Sequence, residues 1–266
     1  MGSISNYSEN ELLDHALGTA YAPASTVYLG LSTADPLDDA SGLSEPAGNG
    51  YARTAITFAA AAARRVTQTG AVTFPQATGS WGDITHWAIF DASSGGNVLA
   101  HGALNEPKTI VAGNTPTVAD GVAYVEWTAG EMSTYLAHKL LELMFRNVAY
   151  AAPATYVGLT TAVVGDGDDG STITEVAGGS YARQQVNPAG GASPAWTAAA
   201  AGAAENAQAI SFPTATASWG TVTSTFIADA VTAGNILFYD NAVADQPVGT
   251  DDDVQFAAGA FDVALS

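Results

Sequence analysis

Along most of this chain apolar and polar positions alternate over short distances, and only twice does the spacing lengthen to a helical one. The first helical stretch, Ser5-Asn6-Tyr7-Ser8-Glu9-Asn10-Glu11-Leu12-Leu13, leads to a stripe of Leu13, Ala16 and Leu17. Ser5 or Ser8 is placed to cap it, Ser8 and Glu11 have capping-box spacing, and Gly18 is a natural stop. Strand-like runs follow at 27–32, 51–58 and 71–74. Residues 34–50 read as a loop, and an Ala-rich stretch carrying Arg64 and Arg65 fits no element. Segments 84–91 and 97–103 predict a hairpin turning through Ser93-Ser94-Gly95-Gly96, with last strands at 108–112 and 122–127.

This order of elements is written twice. Phe74-Pro75-Gln76-Ala77-Thr78-Gly79-Ser80-Trp81-Gly82 returns as Phe212-Pro213-Thr214-Ala215-Thr216-Ala217-Ser218-Trp219-Gly220. Tyr28-Leu29-Gly30-Leu31 returns as Tyr156-Val157-Gly158-Leu159, and Gly96-Asn97-Val98-Leu99 as Gly234-Asn235-Ile236-Leu237. Glu45 with Tyr51-Ala52-Arg53 returns as Glu175 with Tyr181-Ala182-Arg183. A self-match of this reach predicts two tandem homologous domains, 1–129 and 130–266. Each is mostly β and sandwich-like, with a short N-terminal α-helix. Insertions in the second copy fall near 163–172 and 187–206, and the latter reads as an extended surface loop. The second helix is the more apolar, with Leu136, Leu140, Leu143 and Met144 on one face. That face is expected to be buried between the copies or, alternatively, to form an oligomer interface.

Composition narrows the functions. Charged residues make up only 12% of the chain, and 7 Lys and Arg stand against 26 Asp and Glu. A net charge of −19 repels phosphate backbones, so no direct nucleic-acid partner is expected. The absence of Cys excludes thiol nucleophiles and Cys-based zinc sites. Residues 1–5 lack a basic and an apolar region, so a signal peptide is not expected, and no apolar run approaches the ~20 residues of a membrane span.

Candidate chemistry is sparse. His15, His86, His101 and His138 have no counterpart His in the other copy and no metal-ligand spacing. Asp166-Gly167-Asp168-Asp169-Gly170 begins like a calcium loop, but its Gly comes one place early and the closing Glu is missing. Asp166, Asp168 and Asp169 are therefore weak metal candidates beside a solvated turn. No cofactor is expected, and no catalytic grouping is recognisable, so an enzyme is not expected. Arg53 and Arg183 stand at matching places in the copies and predict an Arg forked onto a carboxylate or backbone carbonyls, bracing the long loop; presentation to a partner subunit is the alternative. Trp81 and Trp219 read as corner residues whose indole N–H meets a loop carbonyl. Tyr51 and Tyr181 accompany them as structural or interface residues.

A helix with S-x-Y-x-x-x-x-L-L, then Y-x-G-L, G-x-Y-A-R, F-P-x-A-T-x-S-W-G and G-N-[VI]-L resembles a family of tailed-phage virion modules usually labelled tail fiber proteins, with similar modules among capsid decoration proteins. The resemblance implies a non-enzymatic structural protein of the virion exterior, assembled in the host cytoplasm. Its implied place is as capsid decoration, cement, or a head-surface turret or spike, docked through oligomeric interfaces. The implied partners are itself, as a cyclic homo-oligomer with a trimer favoured, and the major capsid protein or other virion proteins, without a membrane. The alternative is a tail or head fibre module binding a host receptor or glycan, using exposed loop aromatics such as Trp196 and Tyr239.

Overall fold

The computed structural model describes residues 3–128 and 130–265; the expected domain junction at residue 129 lies outside them. The chain is mostly β, with two helices among the described residues, α1 (Asn6–Ala16) and α2 (Thr134–Arg146). The first repeat builds an antiparallel sheet in the order Ser3–Ile4, Val98–Ile110, Gly82–Phe90, Val27–Ser32, Thr54–Ile56. The second repeat builds Gln184–Val186, Thr155–Thr160, Ser224–Ala228, Ile236–Asp240. Registers agree between copies. Leu29 faces Thr54 on one side and Ile89 on the other, as its counterpart Val157 faces Gln184 and Ile227. A slip of one residue would turn these buried side chains to the opposite face, so the shared register follows from the shared apolar pattern.

The remaining strands pair only in twos. Arg65–Thr67 joins Tyr124–Glu126 and Val72–Thr73 joins Thr117–Val118 in the first repeat. In the second, Ala203–Glu205 joins Asp262–Ala264, Ile210–Ser211 joins Gln255–Phe256, and Gly220–Val222 joins Gln246–Val248. Three sequence expectations change here. The run at 51–58 is a strand only at Thr54–Ile56, with a single bridge from Phe58 to Gln68. The strand expected at 108–112 is the far end of one long strand, Val98–Ile110. The stretch with Arg65 is a strand whose alternation is too short to register, since only Val66 between Arg65 and Thr67 is apolar and buried.

Both helices start on a serine. Ser5 Oγ accepts from Ser8 N at 3.3 Å and donates to the Val98 carbonyl, while Ser5 N donates to Leu99 O at 3.1 Å. Ser133 Oγ accepts from Leu136 N at 3.1 Å and donates to Ile236 O at 2.6 Å, and Ser133 N donates to Leu237 O at 2.9 Å. Each serine thus supplies the missing partner for a first-turn amide and hooks the helix start to the hairpin of its own repeat. Of the two capping choices for α1, Ser5 is the one used.

The chain forms two compact units. The first contains residues 3–9, Ala22–Thr128 and His138–Tyr150; the second contains Asn10–Tyr21, 130–137 and 151–265. Each unit therefore takes its strands from one repeat and most of its helix from the other. Within the first unit, Glu142 Oε1 accepts from Ala61 N at 2.6 Å, His138 Nε2 accepts from Arg64 N at 3.0 Å, and Arg146 Nε donates to Phe58 O at 3.1 Å. The Phe145 ring meets Phe58 edge-on at 5.7 Å. Within the second, Asp14 Oδ1 accepts from Ala199 N at 2.8 Å and Asn10 Oδ1 from Gly202 N at 2.9 Å. Leu12, Leu13, Ala16 and Leu17 are buried, as are Leu136, Leu140, Leu143 and Met144. Each large apolar side chain so covered contributes roughly 1.5–3 kcal/mol.

Candidate functional site

The residues repeated with the greatest chemical specificity converge in one place per repeat. In the first, Arg53 Nε and Nη2 fork onto Glu45, with Nε–Oε1 at 2.9 Å and Nη2–Oε2 at 2.6 Å. Arg53 Nη1 donates to Ala92 O at 2.9 Å and Gly95 O at 2.6 Å, both in the hairpin turn. Tyr51 Oη donates to Glu45 Oε1 at 2.7 Å and accepts from Leu31 N at 2.9 Å. The guanidinium lies over the Phe90 ring, 3.3 Å from its centroid. One carboxylate, one phenol and one guanidinium thus tie the long loop, a sheet strand and the hairpin turn together.

The second repeat reproduces this clasp atom for atom. Arg183 forks onto Glu175 at 2.8 and 2.7 Å, donates to Ala230 O and Ala233 O at 2.7 Å each, and lies over Phe226 at 4.9 Å. Tyr181 Oη donates to Glu175 Oε1 at 2.9 Å and accepts from Leu159 N at 2.8 Å. The arginine side chains are 7% and 1% exposed and the glutamates 21% and 22%, so this is a nearly dry, bidentate ion pair. Burial pushes both tyrosine hydroxyls well above their ordinary pKa, and the neighbouring glutamates add to it. Such phenols stay protonated as donors.

Two neighbours explain the spacing of the motif. Trp81 and Trp219 donate their indole N–H groups to Asn49 O and Gly179 O at 2.9 Å each. Both stand edge-on to the clasp tyrosine, at 5.2 and 5.4 Å. Gly30 and Gly158 sit under the ring that carries the arginine. A Cβ would come within 2.7 Å of Phe90 at the first and 2.2 Å of Phe226 at the second. The glycine of Y-x-G-L therefore makes room for the stacked pair.

The clasp explains the repeated Arg by internal bracing. Its donors and acceptors are turned on one another, so the arrangement offers no free base, nucleophile or anion pocket. Leu136, Leu140, Leu143 and Met144 are buried within the single chain. The acidic loop is engaged in its own turn and with the start of α2. Asp168 Oδ2 accepts from Gly165 N at 2.7 Å, Asp169 Oδ1 from Ser171 N at 2.8 Å, and Asp166 Oδ2 from Thr134 Oγ1 at 2.7 Å. The Ser171 hydrogen bonds hold Asp169 below the usual carboxylate range. Among the described residues no group of three or more His, Asp or Glu is placed to hold a metal ion, and no helix is long and apolar enough to cross a membrane.

Two sequence expectations are corrected. Trp196 is 1% exposed, donates to Thr155 Oγ1 at 2.9 Å and packs on Phe261 at 5.9 Å, so it is no exposed loop aromatic. The surrounding 187–206 insertion carries the strand Ala203–Glu205 and is part of the packed unit. Tyr239 is half-buried, and its hydroxyl lies 3.2 Å from Gly130 O. Sequence reasoning did not pair two of the histidines it named: His101 meets Asp38 at 3.0 Å, and His86 lies 3.8 Å from Asp35. These residues come from separated loops and strands, and no spacing signals their meeting.

A duplicated, mostly β chain whose most specific residues brace its own loops belongs to the class of structural building blocks. A family model described as Podophage GP4 fiber I protein gp80 matches residues 3–125 and again 131–264, and the chain belongs to that family, in tandem duplication. It is a fibre-like structural component of a phage particle. No curated protein matches it.

Proposed function

We propose that this chain is a non-enzymatic exterior component of the particle that works by docking, as a decoration, cement or turret-like protein on the head surface. The observation that carries the reading is the fibre-family match to both halves, joined to a repeated site whose polar groups are satisfied internally. The chain has no heptad or collagen-like shaft of the kind a long tail fibre needs, which favours a compact attachment to the shell. Its partners on this reading are other copies of itself in a closed ring, a trimer first, and the major capsid protein, with assembly in the host cytoplasm.

Membership of a fibre-protein family favours a second reading, a tail or head fibre module that contacts a host receptor or glycan. Gold-labelled antibody on intact particles separates the two. Label over the head surface, with purified protein that does not adsorb to host cells, supports docking on the shell. Specific adsorption of the purified protein to host cells, with label on the tail or the head, supports the second, and absence of label from the particle overturns both.

A further inference from the structure

We infer that each repeat is one half of a helix-exchanged pair, in which the β framework of one repeat is completed by the helix of the other. The partner that this fold requires is therefore a second repeat of its own kind. Three observations carry this. First, the compact units take His138–Tyr150 with the strands of the first repeat and Asn10–Tyr21 with those of the second. Second, the exchange is reciprocal and chemically specific. Asn10 and Asp14 of α1 cap the backbone amides of Gly202 and Ala199, while Glu142 and His138 of α2 cap those of Ala61 and Arg64. Third, both helix starts are hooked to their own repeat, Ser5 to Val98 and Leu99, Ser133 to Ile236 and Leu237.

Each helix therefore leaves from one framework and seats in the other, which is the geometry of a domain swap between identical elements. The amides involved lie in loops and short turns with no sheet neighbour to satisfy them. Without the visiting helix these donors would lose their acceptors, and burial of an unsatisfied amide is costly. Here the joint between the repeats supplies both helices within one chain. Once that joint is cut, each half still holds the other through its helix.

The test uses the full chain with a protease recognition sequence placed between residues 128 and 131. After cleavage both halves are expected to migrate together at the mass of the intact chain and to part only on denaturation. Separation into two folded half-mass species would overturn the inference. An ordinary interface between repeats would also keep the halves together, so amide hydrogen exchange on uncut variants decides between them. Asn10→Ala with Asp14→Ala is expected to speed exchange at Ala199 and Gly202 at least tenfold, and Glu142→Ala at Ala61. Loss of protection confined to the repeat that bears the substitution would defeat helix exchange.

Discussion

In the first repeat the strand that follows the Gly95-Gly96 turn runs for 13 residues, Val98–Ile110; in the second its counterpart stops after 5, at Asp240, and pairing resumes only at Gln246–Val248. Where it stops, the second repeat's insertion meets the chain. Asn241 turns its carboxamide onto Val164, accepting from Val164 N and donating to Val164 O at 2.9 Å each. Ala242 N then donates to Asp240 Oδ1, closing a turn where the first repeat continues its ladder. The clasp, by contrast, is the same in both. Between these two copies the element that fixes loop to sheet is held, while the far end of the hairpin and the loops are where they differ. Constraint follows the number of partners a side chain must satisfy at once.

The sharpest way to break the comparison is at the residue only one copy has. Trp196→Ala removes a buried ring and leaves the Thr155 hydroxyl without its indole donor, with an expected loss of about 4 kcal/mol. Denaturant unfolding measures the loss, and hydrogen exchange should place it in the second unit; an effect under about 1 kcal/mol would mean that the insertion is not part of that core. Next comes the residue both copies share. Arg183→Ala strands Glu175 in a nearly dry setting and should cost about 3 kcal/mol, with Arg53→Ala somewhat less because its site is wetter. Lysine at either position should fail to rescue, since it cannot fork onto the carboxylate and two carbonyls together. Equal tolerance of Ala at both sites would contradict the bracing role.

Smaller still is the room beneath the ring. Gly158→Ala should cost about 2 kcal/mol, and Gly30→Ala less, in the order of their 2.2 and 2.7 Å approaches. Thermal midpoints test the order. The smallest effect belongs to the first repeat alone. Burial, and then the Asp38 charge, push Glu9 up from an ordinary 4.5 to about 7. The folded protein therefore holds the proton more tightly than the unfolded chain, so stability falls as pH rises from about 4.5 to 7. Glu9 remains partly wet, which reduces the effect to about 1 kcal/mol. Glu9→Gln should flatten that slope, and an unchanged profile would remove Glu9 as its source.

Much of this was legible in the sequence because it is local or written twice. The strand Val27–Ser32 and the serine cap of the first helix follow from alternation and capping chemistry, and the matched positions of Arg53 and Arg183 pointed to a brace on a carboxylate or carbonyls without naming Glu45 and Glu175 as the carboxylates. What stayed hidden depends on distant parts of the chain. The strand at Arg65–Thr67 exists because Tyr124–Glu126 pairs with it, and its own three residues carry almost no periodic signal. Trp196 read as an exposed aromatic because it sits among Ala, Gly and Pro, yet Phe261 and Thr155 from far along the chain enclose it. The seat taken by each helix is likewise invisible to periodicity, which shows that a face will be covered but not by which strands.

All seven basic side chains have partners within the chain. Arg53, Arg65, Lys108, Arg146 and Arg183 hold carboxylates, Arg64 holds the Thr128 carbonyl, and Lys139 stands over the Tyr150 ring. With a net charge of −19, copies approaching one another meet repulsion before any contact forms. Dissolved counter-ions shorten the reach of that repulsion to roughly 8 Å at physiological ionic strength. Any association between copies should therefore tighten as salt rises, the reverse of what attraction between opposite charges would give.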